Sequence, residues 1–289
     1  MKPQNKDIKQ SLRYQNTVAR VSGLSAEEKG AELFKALAVG AQWRIDAVLD
    51  TLDKAPVEWN QIDKLGVFRH AAMFGRLKAV QRMAKNSYFK ADPAPQCGDA
   101  PYVILTAFDT AVIHGHYAVA DYCKALGANP DYMIDAHSSP RAMLLAVGKG
   151  DITKMGYLID AGADPAGYLT LAVAKEDKKS LDFLLSKGAD INNVGSGNRT
   201  ALTTAIQYGH KDIFHHLLDK GADPKISARE NMYYAINGNK ADIVATLLKR
   251  GVEPGKDDLT NAEYHKFDDI VALLKKHMPK DNNPPPPKP

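Results

Sequence analysis

The sequence predicts an all-α repeat protein, a solenoid of about eight helix-turn-helix units joined by short finger loops. The first observation is self-similarity, because the segment 200–224 has close relatives that begin at residues 142, 168 and 232. The second is an alanine that recurs eight times at a mean interval of about 32 residues. The third is a glycine at two fixed distances after that alanine. Together they predict two helices and two helix ends in every unit.

The recurring alanine, called the anchor below, marks the first helix of each unit. Its small side chain lets this helix approach the neighbouring unit closely, so we expect every anchor to be buried. The anchors are Ala36, Ala71, Ala111, Ala146, Ala172, Ala205, Ala235 and Ala262.

Glycines after the anchor predict where the helices stop. Five units have glycine four positions after the anchor, and five have glycine sixteen positions after it. Glycine thus occupies ten of sixteen places, whereas the glycine content of the chain predicts about one by chance. A residue just past a helix end usually adopts the left-handed conformation, which costs a residue with Cβ about 1–2 kcal/mol and glycine nothing. Glu176, Asn239 and Lys266 replace glycine at the first of these places.

Between the two stops, apolar residues fall at helical spacing. Ile213, Leu217 and Leu218 show this in one unit, and the next unit has Ile243, Leu247 and Leu248 at the equivalent places, with Val244 beside them. The second helix of each unit therefore supplies the large buried side chains.

The ends of the array differ from its middle. Ser25 followed by Glu28 predicts a capping box at the start of the first helix, within an array that covers residues 23–278. Residues 1–22 form an N-terminal arm, either a weak amphipathic helix packed on the first unit or a disordered segment. The last unit is short and charged, as a terminal repeat needs to be, and 279–289 is a proline-rich disordered tail. We expect the arm and the tail to be removable without loss of cooperative unfolding.

Loops of unequal length connect the units. The longest is an insertion at 87–106 that contains three prolines, and a full-length finger is expected at 192–199. A long loop in a compact array is more often functional or disordered than neutral, so this insertion is a candidate contact region.

One unit carries a recognisable pattern: Thr200, Leu202 and Ala205 open it, and Gly209-His210, Leu217-Leu218 and Gly221-Ala222-Asp223 follow. This pattern resembles the ankyrin repeat family, with Ala201 and Thr203 standing where the family has proline and histidine. The resemblance covers roughly residues 31–277. It implies an ankyrin-like fold and a role in binding other proteins.

Charge and composition exclude several functions. The net charge is +4, but residues 1–30 and 275–289 each carry +3, so the body carries −2, which argues against a nucleic-acid-binding face. No apolar run approaches the roughly 20 residues that cross a membrane, and the start lacks the hydrophobic region of a secretory signal. Two cysteines in 289 residues fit a reducing compartment, so we expect a cytoplasmic protein.

Reactive side chains do not form a recognisable catalytic pattern. His114 and His116 with Cys123 suggest a metal site only superficially, because His116 follows a helix-ending glycine and Cys123 replaces a core leucine. Gly195-Ser196-Gly197 lacks the residues of a phosphate-binding loop, and Cys97 lacks a nearby activating base. We therefore expect no cofactor, no metal and no enzymatic activity; a helical-repeat enzyme that uses Cys97 is the alternative.

Residues two and three positions after each anchor should face the concave groove of the array. Aromatic and cationic side chains there are candidate contacts for a partner, since such residues dominate interface energetics. We expect a monomer that binds a protein with acidic residues, as an adaptor or a competitive blocker; the alternative is a bacterial or viral effector in a host cytosol. The predicted contacts are Phe74, His114, Lys149, Lys175 and Tyr208.

Overall fold

Helices are the main secondary structure of the residues that the structure describes. The computed structural model describes residues 5–54, 62–85, 102–131, 142–195 and 197–278. Within those ranges the only strand-like feature is a single bridge between Gly195 and Arg199. The all-α repeat fold predicted from the sequence is confirmed.

The helices follow one another in pairs after a first unpaired helix. In the N-terminal part they are α1 (Asn5–Ser22), α2 (Ala26–Val39), α3 (Gln42–Lys54), α4 (Lys64–Met73), α5 (Leu77–Lys85), α6 (Tyr102–Ile113), α7 (Tyr117–Ala125), α8 (Ala142–Lys149) and α9 (Ile152–Asp160). A short 3₁₀ turn, Ala166–Tyr168, then leads into α10 (Leu169–Ala174), α11 (Lys178–Ser186), α12 (Ala201–Tyr208), α13 (Lys211–Asp219), α14 (Ala228–Asn237), α15 (Ala241–Lys249), α16 (Lys256–Tyr264) and α17 (Asp268–His277).

The chain divides into two compact units. The first runs to Ala146 and includes Thr153–Ala163, and the second comprises Val147–Ile152 and everything from Asp164 onward. Inside each unit, first helices pack on first helices, as α4 does on α6 and α12 on α14, and second helices on second helices, as α15 does on α17. Each unit is therefore a stack of helix pairs whose apolar faces are buried between neighbours.

The anchor alanines lie where the stacked first helices meet. None of the eight is more than 2% exposed. The large side chains predicted for the second helices, such as Leu217 and Val244, are also buried. The alternation of small and large buried residues that the sequence predicted is confirmed.

The predicted helix stops are confirmed in the backbone. All eight residues four positions after an anchor have a positive φ, including Glu176, Asn239 and Lys266, whose φ values are 56°, 51° and 58°. The five glycines sixteen positions after an anchor have φ values from 83° to 113°. The left-handed turn therefore belongs to the repeat geometry, and three units keep it with residues that pay the steric cost.

In two pairs, a cation that follows the first-helix turn ties the pair to the preceding one. Arg76 Nε donates to the carbonyl oxygen of Leu37 at 2.9 Å, and Lys240 Nζ donates to the carbonyl oxygen of Ile206. Both cations bond carbonyl groups near the C-terminus of a helix, where the helix dipole favours a positive charge. These contacts link the end of one first helix to the end of the first helix before it.

The N-terminal arm forms helix α1, which packs against α3. Val21 is fully buried, the hydroxyl group of Tyr14 donates to the carboxylate of Asp50, and Arg20 Nη2 lies 2.7 Å from Glu32 Oε2. Of the two alternatives for residues 1–22, the helix is the one observed for residues 5–22. Because it covers α3, its removal is expected to destabilise the first unit, contrary to the sequence-based expectation.

The capping box predicted at α2 is confirmed. Ser25 Oγ accepts a hydrogen bond from the Glu28 backbone N–H at 3.2 Å, and Glu28 Oε2 accepts one from the Ser25 N–H at 2.8 Å. The two side chains thus satisfy backbone donors that the first turn of a helix cannot pair internally.

A buried polar network locks two pairs of the second unit together. Asn231 is fully buried; its Oδ1 accepts from Thr203 Oγ1 at 2.7 Å, and its Nδ2 donates to the carbonyl oxygens of Pro224 and Ile226 at 3.0 and 3.1 Å. Thr203 in turn forms a capping box with Thr200. All polar groups of the Asn231 side chain are therefore paired, as burial requires.

Several predicted loops fall outside the described residues. These are the proline-rich tail 279–289, the finger tip at Ser196 and most of the insertion 87–106. Helix α6 begins at Tyr102, so the end of that predicted insertion is helical.

Candidate interaction surface

Grooves between neighbouring first helices recur along the chain, one in the first unit and two in the second. Their volumes are about 480, 500 and 490 Å³. All three are lined by residues one or two positions before an anchor, and two of them also by residues two and three positions after it. Places three or four residues apart share one side of a helix, so within each unit these residues lie on one face of the first helices.

The groove of the first unit is rich in aromatic rings. Phe34 contacts His70 edge-on with ring centroids 4.9 Å apart, and His70 lies 5.5 Å from Phe74. The guanidinium carbon of Arg76 lies 5.9 Å from the Phe74 ring centroid. His114 is exposed and lines the groove, whereas Phe74 is half-buried and stands beside it.

The carboxylates in this first groove accept hydrogen bonds from backbone N–H groups. Asp63 caps α4 by accepting from the Gly66 N–H at 2.8 Å, and Asp109 accepts from the Ala142 N–H at 3.2 Å. With these acids already bonded, the groove offers a partner mainly rings and imidazoles.

The middle groove, between α10 and α12 of the second unit, has a different lining. Arg199 Nη1 donates to Gln207 Oε1 at 3.1 Å, and Tyr208 is 58% exposed. The Tyr208 ring stacks on His210 at 5.9 Å with planes 7° apart. A large exposed ring held flat against a neighbour loses little conformational entropy on binding, which suits it as a contact residue.

The two predicted lysines lie at the ends of first helices. Lys149 is the last residue of α8 and Lys175 caps the C-terminus of α10; both are exposed and form no ion pair with the described residues. The partial negative charge of a helix C-terminus stabilises each cation. Because neither lysine forms an ion pair within the described part of the chain, both charges remain available to an external carboxylate.

The five predicted contacts are distributed over both units. Phe74 and His114 belong to the first unit, and Lys149, Lys175 and Tyr208 to the second. His114 and Tyr208 line grooves directly. The prediction that these residues bind a partner remains a prediction.

Sequence reasoning missed the residues before the anchor. His70, Leu171 and Tyr234 stand one position before their anchors and line grooves, and Tyr233, two positions before its anchor, lines the α14–α16 groove. Helical periodicity alone could have found them, because they precede the predicted groove residues by three or four positions.

The α14–α16 groove combines tyrosines with acidic side chains. The rings of Tyr233 and Tyr234 meet edge-on at 5.3 Å, with planes 77° apart. Asp258 Oδ2 accepts from the Gly255 N–H at 2.8 Å, while burial, reinforced by the charge of Asp257, raises the pKa of Asp258 above its usual range. This groove is therefore the acidic one of the three.

The reactive side chains among the described residues are packed into the fold. Cys123 is buried, and burial raises the pKa of its thiol to about 12, so the thiolate that acts as a nucleophile is not populated. His116 lies against Gly75, where a Cβ would be only 2.6 Å from its Nδ1. Within the described ranges no group of histidine, cysteine and acidic side chains could hold a metal ion. Cys97 lies outside those ranges.

Membrane insertion finds no support in the helices. Across the part of the chain that the structure describes, no helix combines the length and the apolar character that spanning a bilayer requires.

Stacked helix pairs with a grooved face of first helices define a helical repeat protein. A family model described as ankyrin repeats (3 copies) matches residues 143–228 and 169–258. Residues 143–258 thus carry repeats of the ankyrin family.

Curated relatives match short segments. The chain is 31% identical over 108 residues to zygote-specific protein 3 of Chlamydomonas reinhardtii, covering 36% of this chain and 29% of that protein. It is 39% identical over 56 residues to an L-asparaginase of Dirofilaria immitis, covering 19% and 10% of the two chains. It is 36% identical over 70 residues to a Fowlpox virus protein named for its ankyrin repeats, covering 24% and 9%. The chain spans less than a third of the length of each relative.

Proposed function

We propose that this protein acts by binding another protein along the face of its first helices, as an adaptor or a competitive blocker and not as a catalyst. Ankyrin repeats form protein–protein interaction modules. The proposed contacts are Phe74, His114, Lys149, Lys175 and Tyr208.

The observation that carries the proposal is the recurrence of one grooved face. Three grooves use equivalent places on first helices, and Tyr208 stands there with more than half of its side chain exposed. Nothing in the packing of α12 requires a ring at this exposed place, and tyrosine is enriched among the residues that dominate binding energy. A binding role accounts for it.

The charges on this face define what the partner brings to it. Lys149 and Lys175 are exposed and form no ion pair with the described residues, so acidic residues of the partner would complement them. Charge pairs at the rim of an interface mainly accelerate association and make it sensitive to salt. We propose a monomer in the cytoplasm that meets a partner with an acidic patch.

Capture from a lysate with immobilised protein, quantified by mass spectrometry, tests the contacts. Tyr208→Ala and Phe74→Ala should weaken retention of the partner by tens of fold, because truncating an interface hot spot costs about 2 kcal/mol or more. Lys149→Glu should reduce retention mainly at low salt.

Matched controls come from the outer, second helices. His215 is exposed on α13, and Lys249 ends α15 as Lys149 ends α8. His215→Ala and Lys249→Glu should leave retention unchanged. Equal losses for the control and groove variants would reject the first-helix face.

The viral relative favours one more specific role. Because that match is to a protein of Fowlpox virus, an effector that acts on host proteins in the host cytosol is the second candidate. Parallel capture from a bacterial and a eukaryotic lysate separates the two roles, since an effector retains its partner from the eukaryotic lysate alone.

A further inference from the structure

The α14–α16 groove differs from the middle groove in the sign of its charge. Three carboxylates, those of Glu230, Asp257 and Asp258, line it against the single guanidinium of Arg229. The charged residue that lines the middle groove is the cation Arg199. Along the second unit, the first-helix face therefore changes from basic to acidic.

Aromatic rings stand beside these carboxylates. Tyr233 is 53% exposed, and its ring meets that of Tyr234 at 5.3 Å, with both residues lining the groove. The face of a tyrosine ring attracts an ammonium or guanidinium group, and the attraction grows when the cation loses water. Rings and acids together favour a cation that carries an aliphatic stem.

One carboxylate oxygen of this groove has no hydrogen-bond partner among the residues that the structure describes. Glu230 Oε2 is buried and accepts no hydrogen bond, a costly state for a polar atom. Burial, and after it the charge of Asp257, raise the pKa of Asp258, while the Gly255 N–H and Arg229 lower it. A cation bound in the groove would favour the charged form of these carboxyl groups.

We propose that the α14–α16 groove binds a lysine or arginine side chain of the protein partner, with its stem across Tyr233 and its charge beside Glu230 and Asp257. The inference rests on the proposed function and extends it, because the partner then carries acidic residues for Lys149 and Lys175 and a basic residue for this groove. One binding orientation satisfies this pattern, and the reversed orientation opposes like charges at both places.

Small probes test the groove without any partner. The full chain, labelled with ¹⁵N, is titrated with N-acetyl-lysine-N-methylamide, and with N-acetyl-norleucine-N-methylamide, which has the same stem without the amine. The lysine probe should shift the amide signals of Tyr233, Tyr234 and Asn261 and bind at least fivefold more tightly than the norleucine probe. N-acetyl-glutamate-N-methylamide should leave these signals in place.

Substitutions in and beside the groove assign the effect to its walls. Tyr233→Ala and Glu230→Gln should each weaken the lysine probe at least threefold. Tyr264→Ala is the matched control, because Tyr264 is 81% exposed and does not line the groove. That variant should bind the probe as the parent does.

Three outcomes overturn the inference: no shift at these amides, equal binding of the lysine and norleucine probes, or equal losses for Tyr264→Ala and Tyr233→Ala. Failure of the proposed function is separate, because it appears as unchanged lysate capture by Tyr208→Ala and Phe74→Ala. A groove that binds the lysine probe while capture stays unchanged would place the partner on another face.

Discussion

The two units present the same helical face with different chemistry. In the first unit the groove is formed around Phe34, His70 and His114, and its carboxylates are bonded to backbone groups. In the second unit exposed cations at α8 and α10 give way to tyrosines and carboxylates between α14 and α16. The first-helix face therefore carries mainly phenyl and imidazole rings in the first unit. In the second unit it carries cations, followed along the chain by tyrosines and carboxylates.

Both units also have the same left-handed turn after the first helix, but the residues in that turn differ in their steric cost. The left-handed position after the first helix is glycine in all three pairs that lie wholly in the first unit, at Gly40, Gly75 and Gly115. In the second unit three of the five such positions are Glu176, Asn239 and Lys266. The turn is thus imposed by stacking and tolerates unfavourable residues, whereas the side chains on the groove are free to vary with the partner.

The largest effect should come from a charge at a buried anchor, and it should appear in both units. Ala71→Asp and Ala205→Asp each place a carboxylate without a partner at a fully buried position, which we expect to cost about 3 kcal/mol or more. Ala118→Asp, on the exposed side of α7, is the control and should stay within about 0.5 kcal/mol. Thermal melts followed by circular dichroism measure this. An unchanged melt for either anchor variant would contradict the stacking of its unit.

The next effect distinguishes the first unit by its response to acid. Hydrogen bonds from Arg20 and then Arg44 lower the pKa of Glu32 from 4.5 to about 2. A carboxyl group with a depressed folded pKa contributes stability above its unfolded pKa and loses it as the pH falls through the folded pKa. We expect about 1–2 kcal/mol from this source, discounted because Arg20 is half-exposed; it is present in full above about pH 5, reduced by about half at pH 3 and lost as the pH falls through about 2.

Urea unfolding at pH 6 and pH 3 measures that contribution. Glu32→Gln should remove most of this part of the difference between the two pH values. Glu263→Gln is the control from the second unit, where Glu263 pairs with Lys275 at 2.8 Å on the surface, and it should change stability by less than about 0.5 kcal/mol. If Glu32→Gln unfolds with the same pH dependence as the parent, the two arginines do not stabilise α2.

The smallest effect concerns the left-handed turns. Gly209 has φ 78°, and a Cβ there would lie 3.7 Å from Lys240, an ordinary contact, so Gly209→Ala should cost about 1 kcal/mol through backbone strain alone. Glu176→Gly, at the same place in the neighbouring pair, relieves such strain and should stabilise the second unit by up to about 1 kcal/mol. Urea midpoints that move the same way for both substitutions would show that the turn geometry is not what limits these positions.

The fold was predictable because a repeated backbone leaves a repeated signal. Anchors, leucines and glycines recur at fixed distances, and Glu176, Asn239 and Lys266 could be assigned a left-handed turn by alignment alone. The hydrogen bonds of Asn231 to Pro224 and Ile226 were not predictable. Both acceptors are backbone carbonyl groups, and a backbone group leaves no signal in the sequence.

The candidate surface was only half predictable. Periodicity predicts that Phe74, His114 and Tyr208 face a groove; His114 and Tyr208 line one, and Phe74 stands beside one and packs against His70 and Arg76. The acidity of the α14–α16 groove depends on Glu230 of α14 and Asp257 of α16 lining the same groove. Such a combination arises from packing between pairs, and residues 230 and 257 are too far apart in sequence to suggest it.

Site-specific crosslinking tests the central claim, that the first-helix face binds the partner, most directly. p-Benzoylphenylalanine is introduced at position 208, on the groove, and separately at position 215, on the outer helix α13. After irradiation in lysate, position 208 should give one discrete crosslinked product of higher mass, and position 215 should give none. Crosslinking at position 215 with none at position 208 would contradict the account.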